Sequence, residues 1–359
     1  MKKILFVCSS QLKPNMLTVL SNFGDMLVGH FELALITGVS NKYSTTQIDT
    51  CYTTHTFNEK KRLSQLRFPY HSLKEYLKEN SADIIINVAH PYPIGLAVAV
   101  LASKHGIKSV IRITGDIFNE RFLAKNPWHR LWKILFYERI MLRILRKADR
   151  VLPIGRGIEK GFLSRGFPAE KLVRIAQPFR LNLFENKDGL EKNELKKSLG
   201  LATDKKTLLF VGRLTWGKGI DRIIEMMDKL RQEHFDFQFC FVGDGPFLQV
   251  LEELGHEDII LTGRLDRKEI PVYYQAADLF VYPTRTDGLP NVVIEAIAAG
   301  LPVVSTPIGE IPYLTKNYFE SPAQITEYIL KQNYTADEAH SWFNWENQKN
   351  SYLSIFSNL

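Results

Sequence analysis

Four short apolar runs in the first half of the chain, KILFVCS, ELALIT, DIIINVA and SVIRIT, are each followed by a longer stretch of helical character. A strand that is apolar at nearly every position has no water-facing side, so it belongs in a parallel sheet with helices over both faces. The rhythm restarts with TLLFVG, FQFCFVG, IILTG, LFVYPT and VVST, several of which end in Gly or Pro ahead of a helical segment. Between the two series, Asn182 to Lys206 is polar and reads as a connection with one short solvated helix. The predicted fold class is therefore α/β, with two doubly wound parallel-sheet domains at 1–178 and 179–335 and a boundary near Pro178. At 359 residues and 45% apolar composition, the chain has enough material for two cores. Near its end, Thr335 with Glu338 three residues on predicts a capping box. The helix it starts would carry Trp342, Trp345, Tyr352 and Phe356 on an aromatic face.

Several function classes drop out. No window approaches 18 uncharged apolar residues, and Met1 to Cys8 reads as a first buried strand rather than a secretory core. Cys8, Cys51 and Cys240 lie far apart and show no paired-ligand spacing, which suits a reducing cytoplasm and predicts no metal site. Charge is uneven. Residues 1–180 hold 28 Lys and Arg against 13 Asp and Glu, whereas the remainder holds 18 against 26. The first half is thus expected to face a polyanion: a phosphate-bearing substrate, an acidic lipid surface or nucleic acid. With no recognisable nucleic-acid module, nucleic acid is set aside.

In open parallel sheets, ligands gather beyond the carboxyl ends of the strands. After TLLFVG, the stretch GRLTWGKGID brings Gly212, Arg213, Lys218 and Gly219 just before a helix. That is a forked donor, a mobile point charge and close-approach backbone, suited to a phosphate or diphosphate, although two solvated cations beside a turn have the same pattern. Gly243, Asp244, Gly245 and Pro246 form a tight turn after the next strand, or else border the same crevice. After LFVYPT comes TDGLPNVVIEAIAAG, whose helix is predicted to begin at Pro290. Asp287 then lies in the loop, with Gly288, Leu289 and Asn291 around a helix N-terminus. Glu295 lies on the face of Asn291, inside an apolar run. An acid buried there must meet donors: sugar or ribose hydroxyls, or else an internal cap or an arginine from elsewhere. Asp287 has its own plain alternative, a loop acid receiving nearby amides.

VGRLTWGKGIDRII, FVGDGP, TGRL and TDGLPNVVIEAIAAGLPVVST, in this order, resemble the donor-binding domain of the retaining family 4 glycosyltransferases (glycosyl transferases group 1). The likeness extends over nearly the whole chain, strongest from Thr207 to Pro312. It implies the GT-B fold, two Rossmann-like domains facing a central cleft, with the C-terminal helix at 336–359 crossing back to the first domain. It also implies that Gly212, Arg213 and Lys218 bind the donor diphosphate and that Gly263, Arg264 and Leu265 lie near the base. Glu295 would hold the ribose. Asp287, where the family usually has Glu, would face the transferred sugar with Gly288, Leu289, Pro290 and Asn291. On the amino-terminal side this sequence departs from the pattern. SSQLKPN has none of the usual glycines, and Thr114 stands where a His often follows the strand. Arg112, Thr114 and Asp116 are then expected on the acceptor side. His90 would compensate catalytically or be a structural turn residue.

The resemblance implies transfer of a hexosyl group from a nucleotide-diphosphate sugar to a glycan or lipid-linked acceptor, in cell-surface polysaccharide or glycoconjugate biosynthesis. The nucleotide sugar is a co-substrate, and no cofactor is implied. A nucleotide-sugar epimerase on the same fold and a catalytically silent nucleotide-sugar-binding scaffold are the alternatives. Between Arg121 and Arg150, Trp128, Leu131, Trp132, Leu135 and Phe136 recur at helical spacing among Arg130, Lys133, Arg139, Arg143, Arg146 and Lys147. That pattern fits either a helix lying on an acidic membrane or a packed amphipathic helix with a solvated basic face. The expected location is cytoplasmic, peripheral to the inner face of the cytoplasmic membrane.

Overall fold

The computed structural model of the chain describes residues 1–9, 11–38, 48–57, 64–88, 91–115, 117–118, 128, 131, 135–185, 189–338 and 343–359. The chain divides into two compact units, Met1–Arg180 with Trp342–Leu359, and Leu181–Ser341.

The first unit holds a six-stranded parallel sheet of β1 (Lys3–Val7), β2 (Glu32–Gly38), β3 (Thr53–Phe57), β4 (Ile84–Asn87), β5 (Lys108–Ile113) and β6 (Arg150–Pro153) in the order β3-β2-β1-β4-β5-β6. The four apolar runs became β1, β2, β4 and β5, and β4 is buried throughout. The two strands without such a run, β3 and β6, are the sheet's edges. β3 is covered incompletely, so it can be the polar TTHTF, while β6, RVLP, is largely buried but too short to give an apolar run.

The second unit has five parallel strands, β7 (Lys206–Val211), β8 (Phe237–Val242), β9 (Ile259–Gly263), β10 (Leu279–Tyr282) and β11 (Val303–Ser305), ordered β11-β10-β7-β8-β9. All five correspond to the apolar runs read from the sequence. Sequence order reverses at β7, so the loops leaving β7 and β10 emerge side by side, the place where such sheets take ligands. The helix before β7, Lys192–Ser198, is not wholly solvated: Lys196 is buried and its Nζ lies 2.7 Å from Asp278 Oδ2.

The C-terminal helix corrects one expectation. It runs from Trp345 to Ser357 and is capped by Asn344, whose side chain accepts from the Asn347 amide at 3.1 Å. Thr335 lies outside any helix. The capping box belongs instead to Ser321 and Gln324, at the start of helix Pro322–Lys331. Local capping chemistry recurs along this segment, and packing decides which start is used: Tyr352 and Phe356 are fully buried in the first unit's core beside Phe23 and Phe31. The Tyr352 hydroxyl donates to the Ala176 carbonyl at 2.8 Å. Trp342 lies outside the described residues. Phe356→Ala should cost about 3–5 kcal/mol of first-unit stability through the cavity it leaves, read as a lower urea midpoint for that unit.

Candidate functional site

The loop after β7 reaches its helix, Ile220–Gln232, through Gly219 at φ +79°, a conformation that favours glycine. A Cβ there would also strike the Pro283 carbonyl at the end of β10. The two loops are stapled together beyond that point. Arg285 forks onto Asp221 at 2.6 and 2.8 Å, lies 4.2 Å over the Trp216 ring, and donates to the Trp216 carbonyl at 2.8 Å. Burial would raise the Asp221 carboxyl, but Arg285 outweighs it and holds that carboxyl below its ordinary range. A third support comes from Gly309, whose missing Cβ leaves room for the carbonyls of Asp287 and Gly288, while the Glu310 amide donates to the Gly288 carbonyl at 3.0 Å.

This frame brings Lys218 and Asp287 together. Lys218 Nζ lies 2.7 Å from Asp287 Oδ2 and donates to the Thr286 carbonyl at 3.2 Å. Tyr282, the last residue of β10, donates its hydroxyl to the same carboxylate oxygen at 2.7 Å, and the Gly288 amide donates to Asp287 Oδ1 at 2.9 Å. Lys218 also sits 5.4 Å above the Tyr282 ring. The Arg213 side chain is exposed and makes no hydrogen bond or ion pair with the described residues, and its charge bears on the Tyr282 hydroxyl.

Glu295 lies one layer deeper. Its helix, Asn291–Ala298, begins one residue later than predicted, because Pro290 at φ −77° and ψ 100° is extended and serves as the cap. Only 7% of Glu295 is exposed. Tyr274, on helix Ile270–Ala276, donates to Glu295 Oε2 at 3.0 Å, and Arg267 Nη2 stands 3.6 Å from Oε1. Burial pushes the Glu295 carboxyl above its ordinary value, opposed by Arg267 and the phenol. The arginine left open by the sequence is therefore Arg267, and a ribose would have to share Glu295 with it. Gly263 ends β9, and Arg264 and Leu265 follow it. The Gly243 amide donates to the Gly263 carbonyl at 2.9 Å, and Arg264 is exposed.

Amino-terminal expectations fare differently. Arg112 is fully buried, so it does not present its guanidinium at a surface. Its Nη1 donates to the Val88 carbonyl at 2.7 Å, its amide to Asn87 Oδ1 at 2.6 Å, and its charge lies 4.9 Å over the Phe23 ring. A strand interior apolar on both faces turned the side chain inward, which overturns the acceptor-side placement. Thr114 follows β5 and is half-buried. His90 and Asp116 lie outside the described residues. All three cysteines are free, and burial pushes the thiols of Cys8 and Cys240 upward, the latter to about 12.

Residues 191–345 match the family described as glycosyl transferases group 1, and residues 25–181 match Glycosyltransferase Family 4. The chain belongs to the family 4, group 1 glycosyltransferases. TuaC of Bacillus subtilis (strain 168), whose name assigns it to teichuronic acid biosynthesis, is 29% identical over 64% of this chain and 54% of its own length. A GDP-mannose-dependent phosphatidylinositol monomannoside mannosyltransferase of Mycolicibacterium smegmatis is 29% identical over 54% of this chain and 53% of its own. The chain spans about half the length of such curated relatives. Anabaena HepE, solved with UDP, superposes over 100% of both chains with a TM-score of 0.77 at 17% identity, which establishes the GT-B fold.

Sequence reading missed Tyr274, Tyr282, Arg267, Asp221, Arg285 and Gly309. The available signal was position: a hydroxyl-bearing aromatic at the end of a strand that runs into an acid-bearing loop.

Glu295 supplies a pH prediction. Its folded carboxyl titrates above the ordinary 4.5, so its protonation favours the folded state. That contribution is complete below the unfolded value and is lost as pH rises through the folded one. Glu295→Gln should therefore melt at a higher temperature than the natural protein near pH 8, with the gap closing toward pH 4. Melting curves across that range check it, and a gap that widens on acidification would refute it.

Proposed function

We propose that this glycosyltransferase moves a hexosyl group from a nucleoside-diphosphate sugar to a glycan or lipid-linked acceptor with retention of configuration, in cell-surface polysaccharide or glycoconjugate biosynthesis. The observation that carries this reading is the pairing of Lys218 with Asp287, with the exposed Arg213 in the same loop and its charge acting on Tyr282. A diphosphate entering there would meet two cations, and the sugar beyond it a carboxylate already ordered by three donors. Among the solved structures of similar fold, HepE holds UDP and UDP-glucose, which supports a nucleotide-sugar donor.

In this mechanism the bond between the anomeric carbon and the diphosphate oxygen breaks, and its electron pair stays on the diphosphate. Arg213 and Lys218 stabilise that charge as it develops, the role fixed cations fill best where their geometry is set in advance. The acceptor hydroxyl attacks from the face the diphosphate leaves, and its proton passes to the departing diphosphate oxygen. Glu295 grips the ribose and Asp287 the transferred sugar, while Gly288 to Asn291 line the helix start that the sugar approaches. Gly263, Arg264 and Leu265 border the base. No cofactor is needed beyond the co-substrate.

An acidic membrane is the proposed home of the acceptor, at the inner face of the cytoplasmic membrane. Trp128, Leu131, Leu135 and Ile140 are exposed, and Arg139, Arg143, Arg146 and Lys147 are exposed in the same part of the chain. Residues 121–127, 129–130 and 132–134 of that segment lie outside the described residues. Among the described residues, no helix is long and apolar enough to cross a membrane, so contact would be peripheral.

Thermal-shift screening against UDP, GDP, ADP and their sugar derivatives identifies the donor, since stabilisation follows affinity. With that donor, Arg213→Ala and Lys218→Ala should each lower turnover about a hundredfold or more, the scale of losing one preorganised transition-state contact. Turnover is measured as nucleoside-diphosphate release with an acceptor extract, in the presence of EDTA. Near-normal rates in both variants would reject the reading, and ligand stabilisation without any release would favour a silent binder.

A further inference from the structure

Each of the two site carboxylates accepts a hydrogen bond from a buried phenol that belongs to a different element. Tyr274, 1% exposed, donates to Glu295 from helix Ile270–Ala276, and Tyr282, 2% exposed, donates to Asp287 from the end of β10. One aromatic row anchors both rings. Phe280 lies 5.6 Å from Tyr274 and 5.8 Å from Tyr282, with Phe184 beyond the first and Phe210 stacked on the second.

We propose that Tyr274 and Tyr282 are paired positioning residues, Tyr274 aiming Glu295 at the donor ribose and Tyr282 aiming Asp287 at the transferred sugar. The inference rests on the donor-site reading above. Its physical ground is the difference between a phenol and a cation. Lys218 shares Asp287 Oδ2 with Tyr282. A diphosphate draws Lys218 toward itself, and Asp287 then keeps its aim through the neutral phenol, which has no charge with which to follow the phosphate. Glu295 presents the same problem in another form, since its other partner, Arg267, stands 3.6 Å away and is only partly buried. Without the phenol, that carboxylate would turn toward Arg267. Burial pushes both phenols well above their ordinary range, so they remain donors at any pH the protein meets.

Tyr274→Phe and Tyr282→Phe remove one oxygen each and leave the aromatic row in place, so both variants should melt near the natural protein. The probe is whichever of UDP, GDP and ADP stabilises the natural protein most, with its sugar derivative as donor. Tyr274→Phe should weaken nucleoside-diphosphate binding and raise donor KM together by about tenfold, with saturated kcat within about twofold, the scale of one hydrogen bond to a charged group. Tyr282→Phe should leave nucleoside-diphosphate affinity within about twofold and lower kcat about tenfold, because its carboxylate meets only the sugar. Calorimetric titration and steady-state kinetics read the split. The proposal is overturned if both variants match the natural protein while Asp287→Ala and Glu295→Ala are impaired. It is equally overturned if every parameter falls together with the melting temperature. Should Asp287→Ala and Glu295→Ala also be silent, the donor-site reading itself fails.

Discussion

A carboxylate taken out of water must be met by donors, and at Asp287 that requirement organises the loops around it. One of its oxygens takes both the Lys218 ammonium and the Tyr282 phenol, and the other takes the Gly288 amide. These partners come from the loop after β7, the end of β10 and the loop that leads into the following helix. Holding them within hydrogen-bond reach requires the close approach of backbone at Gly219 and Gly309 and the Arg285–Asp221 fork that ties the loops. Much of the second unit's carboxyl edge can be understood as the scaffold of that one group.

The two acids sit in different surroundings. Asp287 is partly open to solvent and is met by a lysine and a phenol. Glu295 is buried in a helix whose neighbours are apolar, with one phenol and a more distant arginine. A charge there is poorly solvated, and hydroxyls arriving from a ligand would supply hydrogen bonds that the protein does not fully provide.

The strands were legible because burial on both faces leaves a continuous apolar run, and every central strand has one. Edge strand β3 escaped, since partial exposure permits threonine and histidine, and β6 escaped because it is only four residues long. The site was legible where backbone chemistry is local: glycine before a helix, cations beside it, an acid in an apolar run. Arg112 shows the limit. The resemblance implied an acceptor-side residue, yet Val88, Asn87 and Phe23 receive it inside the core.

Sequence alone determined the α/β class and the short stretches that hold Arg213, Lys218, Asp287 and Glu295, because these depend on periodicity and near-neighbour spacing, while the family rested on the likeness of whole motifs. Tertiary structure decided the partners: Lys218 with Asp287 across 69 positions, Arg285 with Asp221 across 64, and Tyr274 with Glu295 across 21. It also decided which helix start the C-terminal segment would use. Hydrogen bonds act over a few ångströms of space, and only the sheet order that sets the ends of β7 and β10 side by side brings such residues within that range.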